Sequence, residues 1–148
     1  MAIQPAHLAD IEEIKQLKAK YFLYVDTKRW EGWREEVFAP DGELHVAEIR
    51  PEPYVGIDAI LELLMPLLDG VTTIHHGHMP IITVTGPDSA TGVWTMEDVH
   101  FWPGTRYQGT AAGRMHGYGI YYEDYVKLDI GWRIKRVRLD RLHYGPMP

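Results

Sequence analysis

The 148-residue chain contains no cysteine. Disulfides, thiol nucleophiles, iron–sulfur clusters and cysteine-based zinc sites are excluded together. Positive charge is also short: 15 Lys and Arg stand against 21 Asp and Glu, for a net charge of −6. Nucleic acid and anionic membranes both select basic footprints, so neither is an expected partner. No stretch approaches the roughly 18 apolar residues of a membrane span. The segment from Met1 to Glu13 has no basic patch leading into an apolar run, so no secretory signal is expected, and the expected location is cytoplasmic. Phosphate-cradling GxGxxG and GxxxxGKS/T loops and the GxSxG nucleophile elbow are missing as well. No repeat, low-complexity tract or Ser/Gly-rich linker divides the chain, and residues 1–148 read as one domain.

What is present is bulky. Five Trp, 9 Tyr and 3 Phe, within 45% apolar residues, supply core material and argue against disorder. Leu8, Ile11, Ile14, Leu17, Tyr21, Phe22 and Val25 recur at spacings of three and four, the pattern of an amphipathic helix. Asp10 and Glu13 resemble a capping box at its start, and Glu12, Lys15 and Lys18 are assigned to its polar side. A second helix is predicted over residues 30–38, stopping before Pro40 and an Asp41-Gly42 turn. Residues 42–49 read as a strand. Residues 57–68 read as a third helix, which Pro66 must bend or end. Four long strand-type runs follow, at residues 71–85, 90–102, 113–128 and 132–144. Helices first and strands later predict an α+β protein, with a curved, largely antiparallel sheet wrapped around the helices. In the last run the apolar parity switches between Trp132–Ile134 and Val137–Leu139, which predicts a bulge. Arg141 continues the Val137–Leu139 face, at its polar end.

Few residues carry chemistry. Asp26 ends the first helix pattern, four residues after Phe22, beside an apolar stripe. Tyr21 lies five residues earlier, about 140° around the helix, so both can border one wide cavity. Three histidines fall in Thr73-Ile74-His75-His76-Gly77-His78-Met79-Pro80. On a strand His76 and His78 share one face and His75 takes the other. His75 then suits a general base oriented by a carboxylate. The competing reading makes His76 and His78 part of a two-His-one-carboxylate metal site. Glu97-Asp98 sits mid-strand among apolar residues, so one of the two carboxylates must face inward, where it needs a partner. Gly117-x-Gly119, inside a strand pattern, marks close packing or a bend. Tyr118, Tyr121, Tyr122 and Tyr125 read as sheet packing or a subunit contact.

These residues, in this order, resemble the SnoaL-like branch of the nuclear-transport-factor-type superfamily, and within it the bile acid 7α-dehydratase-like proteins. The similarity spans roughly residues 8–142. It is strongest from Asp10-Ile11-Glu12-Glu13-Ile14-Lys15-Gln16-Leu17-Lys18-Ala19-Lys20-Tyr21-Phe22 to Asp26. A second block runs through His75, Gly77-His78, Pro80 and Ala90-Thr91-Gly92-Val93-Trp94 to Glu97-Asp98. The resemblance implies a cone-shaped α+β barrel of cystatin-like type, in which a mixed or antiparallel sheet wraps about three N-terminal helices. It implies Tyr21, Asp26 and His75 as catalytic residues and Asp98 and Arg141 as substrate-binding residues, with no metal and no cofactor. Residues 49–56 and 103–109, where the chain departs from the family, would rim the pocket.

The implied activity is that of a cofactor-independent lyase, a dehydratase, acting on a small apolar cyclic partner such as a hydroxylated steroid-like or polyketide-like ketone. His75 takes the proton, Asp26 orients it and Tyr21 donates to the developing oxyanion. A homo-oligomer, trimer or dimer, is implied by resemblance alone. A ketosteroid-type isomerase needs the same base and donor. A non-catalytic binding or assembly subunit of the same fold needs neither.

Overall fold

The computed structural model describes residues 3–104 and 113–147. Part of the second rim loop, residues 105–109, lies outside them. After a 3₁₀ turn at Pro5–His7, helix α1 spans Leu8–Asp26. Its start differs from the predicted capping box. His7 holds the N-cap position without a side-chain bond, and Asp10 instead accepts from Lys127 Nζ (2.7 Å) and Trp132 Nε1 (2.9 Å). A carboxylate that meets an ammonium and an indole N–H across the chain is better satisfied there than by its own helix end. The inner face of α1 carries Ile11, Ile14, Leu17, Lys18, Tyr21, Tyr24 and Val25. Lys18 is therefore buried, not on the polar side. The helix closes with Arg29 N–H bonded to Tyr24 O (2.8 Å) and Lys28 N–H to Val25 O (3.3 Å). That is a Schellman-type end, with Lys28 in the left-handed conformation at φ 57°.

The second helical segment is shorter than predicted. One turn, α2 (Trp30–Gly32), passes into a π-helical turn at Trp33–Val37. Strand β1 (Phe38–Val46) then begins where the helix was expected to end. It runs through Pro40 because its pairing is irregular between Phe38 and Glu43, so the missing proline N–H breaks no ladder bond. Gly42 fits this irregularity: a Cβ there would lie 2.9 Å from Phe38 Cδ1 and 3.1 Å from Ile134 O. A short β2 (Tyr54–Val55) follows, then α3 (Ile57–Leu67), which stops one residue past Pro66.

The predicted run over residues 71–85 is two strands, β3 (Thr72–Gly77) and β4 (Ile81–Gly86), separated at Pro80. Both pair antiparallel with β5 (Ser89–Phe101), one on each half of its length. The long strands β6 (Arg114–Leu128) and β7 (Gly131–Pro146) complete a seven-stranded sheet of order β2-β1-β7-β6-β5-β3, with β4 also on β5. Among the described strands, only β1 and β7 run parallel. The fold is mixed α+β; the sheet curves around the helices without closing. The expected bulge is present: Asp124 pairs with Arg136 and Tyr125 with Ile134, which leaves Lys135 over. Both Ile134 and Val137 are thereby fully buried, and Arg141 is brought to the inner side of β7. No helix among the described residues is long and apolar enough to cross a membrane.

Candidate active site

The end of α1 abuts β3, and this junction builds the first pair. Asp26 Oδ2 accepts the His75 backbone N–H at 2.9 Å, and Oδ1 meets His75 Nδ1 at 2.6 Å. Thr73, one residue pair back on the same strand face, donates from Oγ1 to Asp26 Oδ1 (2.9 Å) and accepts from Lys28 Nζ (2.9 Å). Burial alone would raise the Asp26 carboxyl, but the hydrogen bonds and charge of His75 hold it below the usual carboxylate range. An anionic Asp26 calls for a proton on Nδ1, and Nε2, on the other side of the ring, is directed away from this carboxylate. Phe22 stacks beside the imidazole at 6.1 Å between ring centres, which limits its rotation.

Opposite this pair stands a second one. Of Glu97 and Asp98, β5 turns Asp98 inward with 1% of its surface exposed. Glu97 points outward and pairs with His116 at 2.7 Å. Arg141 grips Asp98 with both ends of its fork, Nη1 to Oδ1 and Nη2 to Oδ2, each at 2.7 Å. Its third donor, Nε, reaches Glu48 Oε1 at 2.8 Å. Burial raises the Asp98 carboxyl, but Arg141 more than offsets it and the group stays below its ordinary range. Asp98 Oδ2 lies 3.8 Å from His75 Nε2 and 3.5 Å from His100 Nε2. Burial pushes His100 down to about 4, so it is neutral at pH 7, and its Nδ1 pairs with the Tyr144 hydroxyl at 2.7 Å.

The floor of the site is aromatic. Tyr21 is stacked on Trp33 at 4.6 Å and meets Tyr121 edge-on at 6.0 Å. Burial pushes the Tyr21 phenol above its ordinary range, so it remains a donor across physiological pH. Beneath these rings lies Lys18, whose ammonium sits 3.9 Å from the Tyr21 ring centre and 3.7 Å from that of Tyr121. It is paired with Glu123, which also accepts from Tyr125; Tyr125 in turn accepts from Trp94 Nε1 at 2.9 Å. Burial lowers the Lys18 ammonium and Glu123 pushes it back.

Tyr21, His75, Asp98 and Arg141, together with His100 and Tyr121, line one cavity of ≈ 100 Å³; Asp26 stands behind His75. Ile49 and Leu67, 41% and 36% exposed, stand at its apolar edge. A wider groove of ≈ 560 Å³ lies across the outside of the sheet, among Glu43, Asp124, Arg136 and Arg138, and contains none of Tyr21, Asp26, His75, Asp98 and Arg141. His76 and His78 are exposed, away from the cavity. The alternative metal reading built on them therefore has no enclosed donor set. His75, Asp98 and His100 do bring three donor atoms within 4.8 Å of one another. Both oxygens of that carboxylate already accept from the Arg141 guanidinium, so its charge is matched within the chain.

Gly117 explains how the Asp98–Arg141 pair fits. A Cβ at this position would lie 2.1 Å from Arg141 Nη1 and 2.2 Å from Asp98 Oδ1. Only a residue without a side chain lets the pair lie flat on β6. Gly117→Ala is expected to displace it and to cost about 1–3 kcal/mol by overpacking. Thermal denaturation of the variant beside the wild type checks this; an unchanged Tm would mean that the pair has room to move aside.

The chain matches the SnoaL-like domain over residues 6–138 and belongs to that family. Among solved structures, a type 2 hexachlorocyclohexane dehydrochlorinase is similar at 18% identity and TM-score 0.81, over 96% of this chain and 91% of that one. A protein from Novosphingobium aromaticivorans, provisionally described as a scytalone dehydratase, is similar at 22% identity and TM-score 0.80, over 96% and 90%. A Mycobacterium tuberculosis protein of unknown function shares 27% identity at TM-score 0.77, over 95% of this chain and 78% of that one. The first two likenesses are likenesses of fold.

Proposed function

We propose that the protein is a cofactor-independent lyase that eliminates water from a hydroxylated cyclic ketone. One observation carries this reading: Asp26 claims Nδ1 of His75, and the remaining nitrogen of the imidazole belongs to the same cavity as a buried phenol and an arginine-held carboxylate. His75 Nε2 takes a carbon-bound proton made acidic by the ketone. Asp26 fixes the tautomer and stabilises the imidazolium. The electron pair moves into the conjugated system, and Tyr21 donates to the oxygen as it gains charge. The C–O bond then breaks toward Asp98, Arg141 and His100, and the hydroxide leaves as water with a proton returned from the imidazolium. The ketone itself stores the charge, so the step requires no metal or nucleotide.

A cavity of ≈ 100 Å³ holds one ring of such a substrate. The rest of a larger steroid-like or polyketide-like skeleton would lie along Ile49 and Leu67 at the mouth. The test is an absorbance assay for the conjugated diene, using a 7α-hydroxy-3-oxo-4-ene steroid and smaller hydroxylated ring ketones, with His75→Ala as control. Tyr21→Phe is expected to lower kcat by about 10²–10³ through loss of one oxyanion donor. A shifted double bond without loss of water would point to an isomerase. No turnover across the panel would point to a binding role.

A further inference from the structure

The residue that follows α1 and its C-cap in the left-handed conformation is Lys28, at φ 57°. Glycine is the favoured residue at such helix ends, because a side chain there crowds its own backbone. A lysine at this place calls for a use of its side chain, and the structure gives one. Lys28 Nζ turns back to donate to Val25 O (3.1 Å) and to Thr73 Oγ1 (2.9 Å). Thr73 is 3% exposed, and its oxygen has a single proton to give. Because Lys28 donates into that oxygen, the proton is committed to Asp26 Oδ1 (2.9 Å), the atom that also holds His75 Nδ1. The bonds therefore run one way, from Lys28 to Thr73 to Asp26, whose carboxylate also meets the His75 backbone N–H and Nδ1.

We infer that Lys28 is a positioning residue: through Thr73 it locks the Asp26 carboxylate in the orientation that holds His75. The inference rests on the reading of Asp26 and His75 as the base pair. It also explains why the helix end tolerates a strained lysine where glycine would sit without strain.

Lys28→Gly separates this role from a structural one, because it relieves the backbone while removing the ammonium. Two measurements decide. The first is the downfield proton NMR resonance of the His75 Nδ1–H, followed in the wild type, Lys28→Gly, Lys28→Arg and Thr73→Val; it needs no substrate. The resonance is expected to move in Lys28→Gly and Thr73→Val and to return toward the wild-type position in Lys28→Arg. The second is kcat on the diene assay, expected to fall about 10–100-fold in Lys28→Gly, taking the range seen when a hydrogen-bonding partner behind a metal-binding histidine is lost. Tm is expected to hold or rise. An unmoved resonance in Lys28→Gly overturns the inference, whatever happens to Tm. If no substrate is turned over even by the wild type, the dehydratase reading fails, while the resonance still decides the role of Lys28.

Discussion

Lys18→Met is expected to destabilise the protein by about 3–5 kcal/mol, the cost of breaking a buried ion pair from one side. Lys18 has no exposed surface and Glu123 only 3%. Methionine, one atom shorter than lysine, is flexible and keeps the apolar stem packed, so the loss is mainly one of charge. It leaves Glu123 with a single donor, Tyr125, in a region closed to water. Against a total stability of about 5–15 kcal/mol, this is a large fraction. It corresponds to a fall in Tm of roughly 6–20 °C for a domain of this size. Lys18→Met/Glu123→Gln removes both charges and keeps an acceptor for Tyr125, and is expected to recover most of the loss. Urea and thermal denaturation of the wild type, Lys18→Met, Glu123→Gln and the double variant measure this coupling. Additive losses in the double variant would mean that the two groups do not depend on each other.

The second large effect is on rate. His75→Ala is expected to reduce kcat by about 10²–10⁴, the range for a general base. Stability should hardly change, because the imidazole is held by one side-chain bond at the wall of a cavity. Asp26→Asn should approach the same loss by a different route. An amide cannot accept from both the His75 backbone N–H and Nδ1–H with both of its polar atoms, so the ring is released to its other tautomer. The two losses should not add in the double variant, since the residues act as one unit. Turnover of the diene assay at saturating substrate is the measurement. Independent, multiplying losses would separate the two residues and remove the basis for a shared role.

Much of this arrangement was legible in the chain itself. The three-and-four spacing placed α1, and the parity switch at Lys135 placed the bulge that brings Arg141 inward. Tyr21, Asp26, His75, Asp98 and Arg141 are found around one site. What escaped is instructive. Lys18 continues the series Ile11, Ile14, Lys18, Tyr21, Val25, spaced three, four, three and four; its charge disguised a core position. His100 shares the parity of Asp98 two residues on, and Glu123 that of Tyr121 and Tyr125. In each case the pattern was present, but the partner that makes burial affordable lies far along the chain. For Lys18 that distance is 105 residues. The break at Pro80 was misread because β3 and β4 share one neighbour, β5, so strand-type residues continue across it. The left-handed Lys28 had no local signal, since a lysine after a helix is ordinary unless its dihedral is seen.

The parallel pairing of β1 with β7 has a consequence for how the molecule is made. As the chain emerges from a ribosome, α1 and β3 can meet early and bring Asp26 to His75. The first strand has no neighbour but the two-residue β2 until roughly ninety residues later, when its parallel partner arrives. Arg141 arrives on that same late strand, so Asp98 waits uncompensated inside a half-built cup. Folding should therefore be slow and governed by sequence-distant contacts.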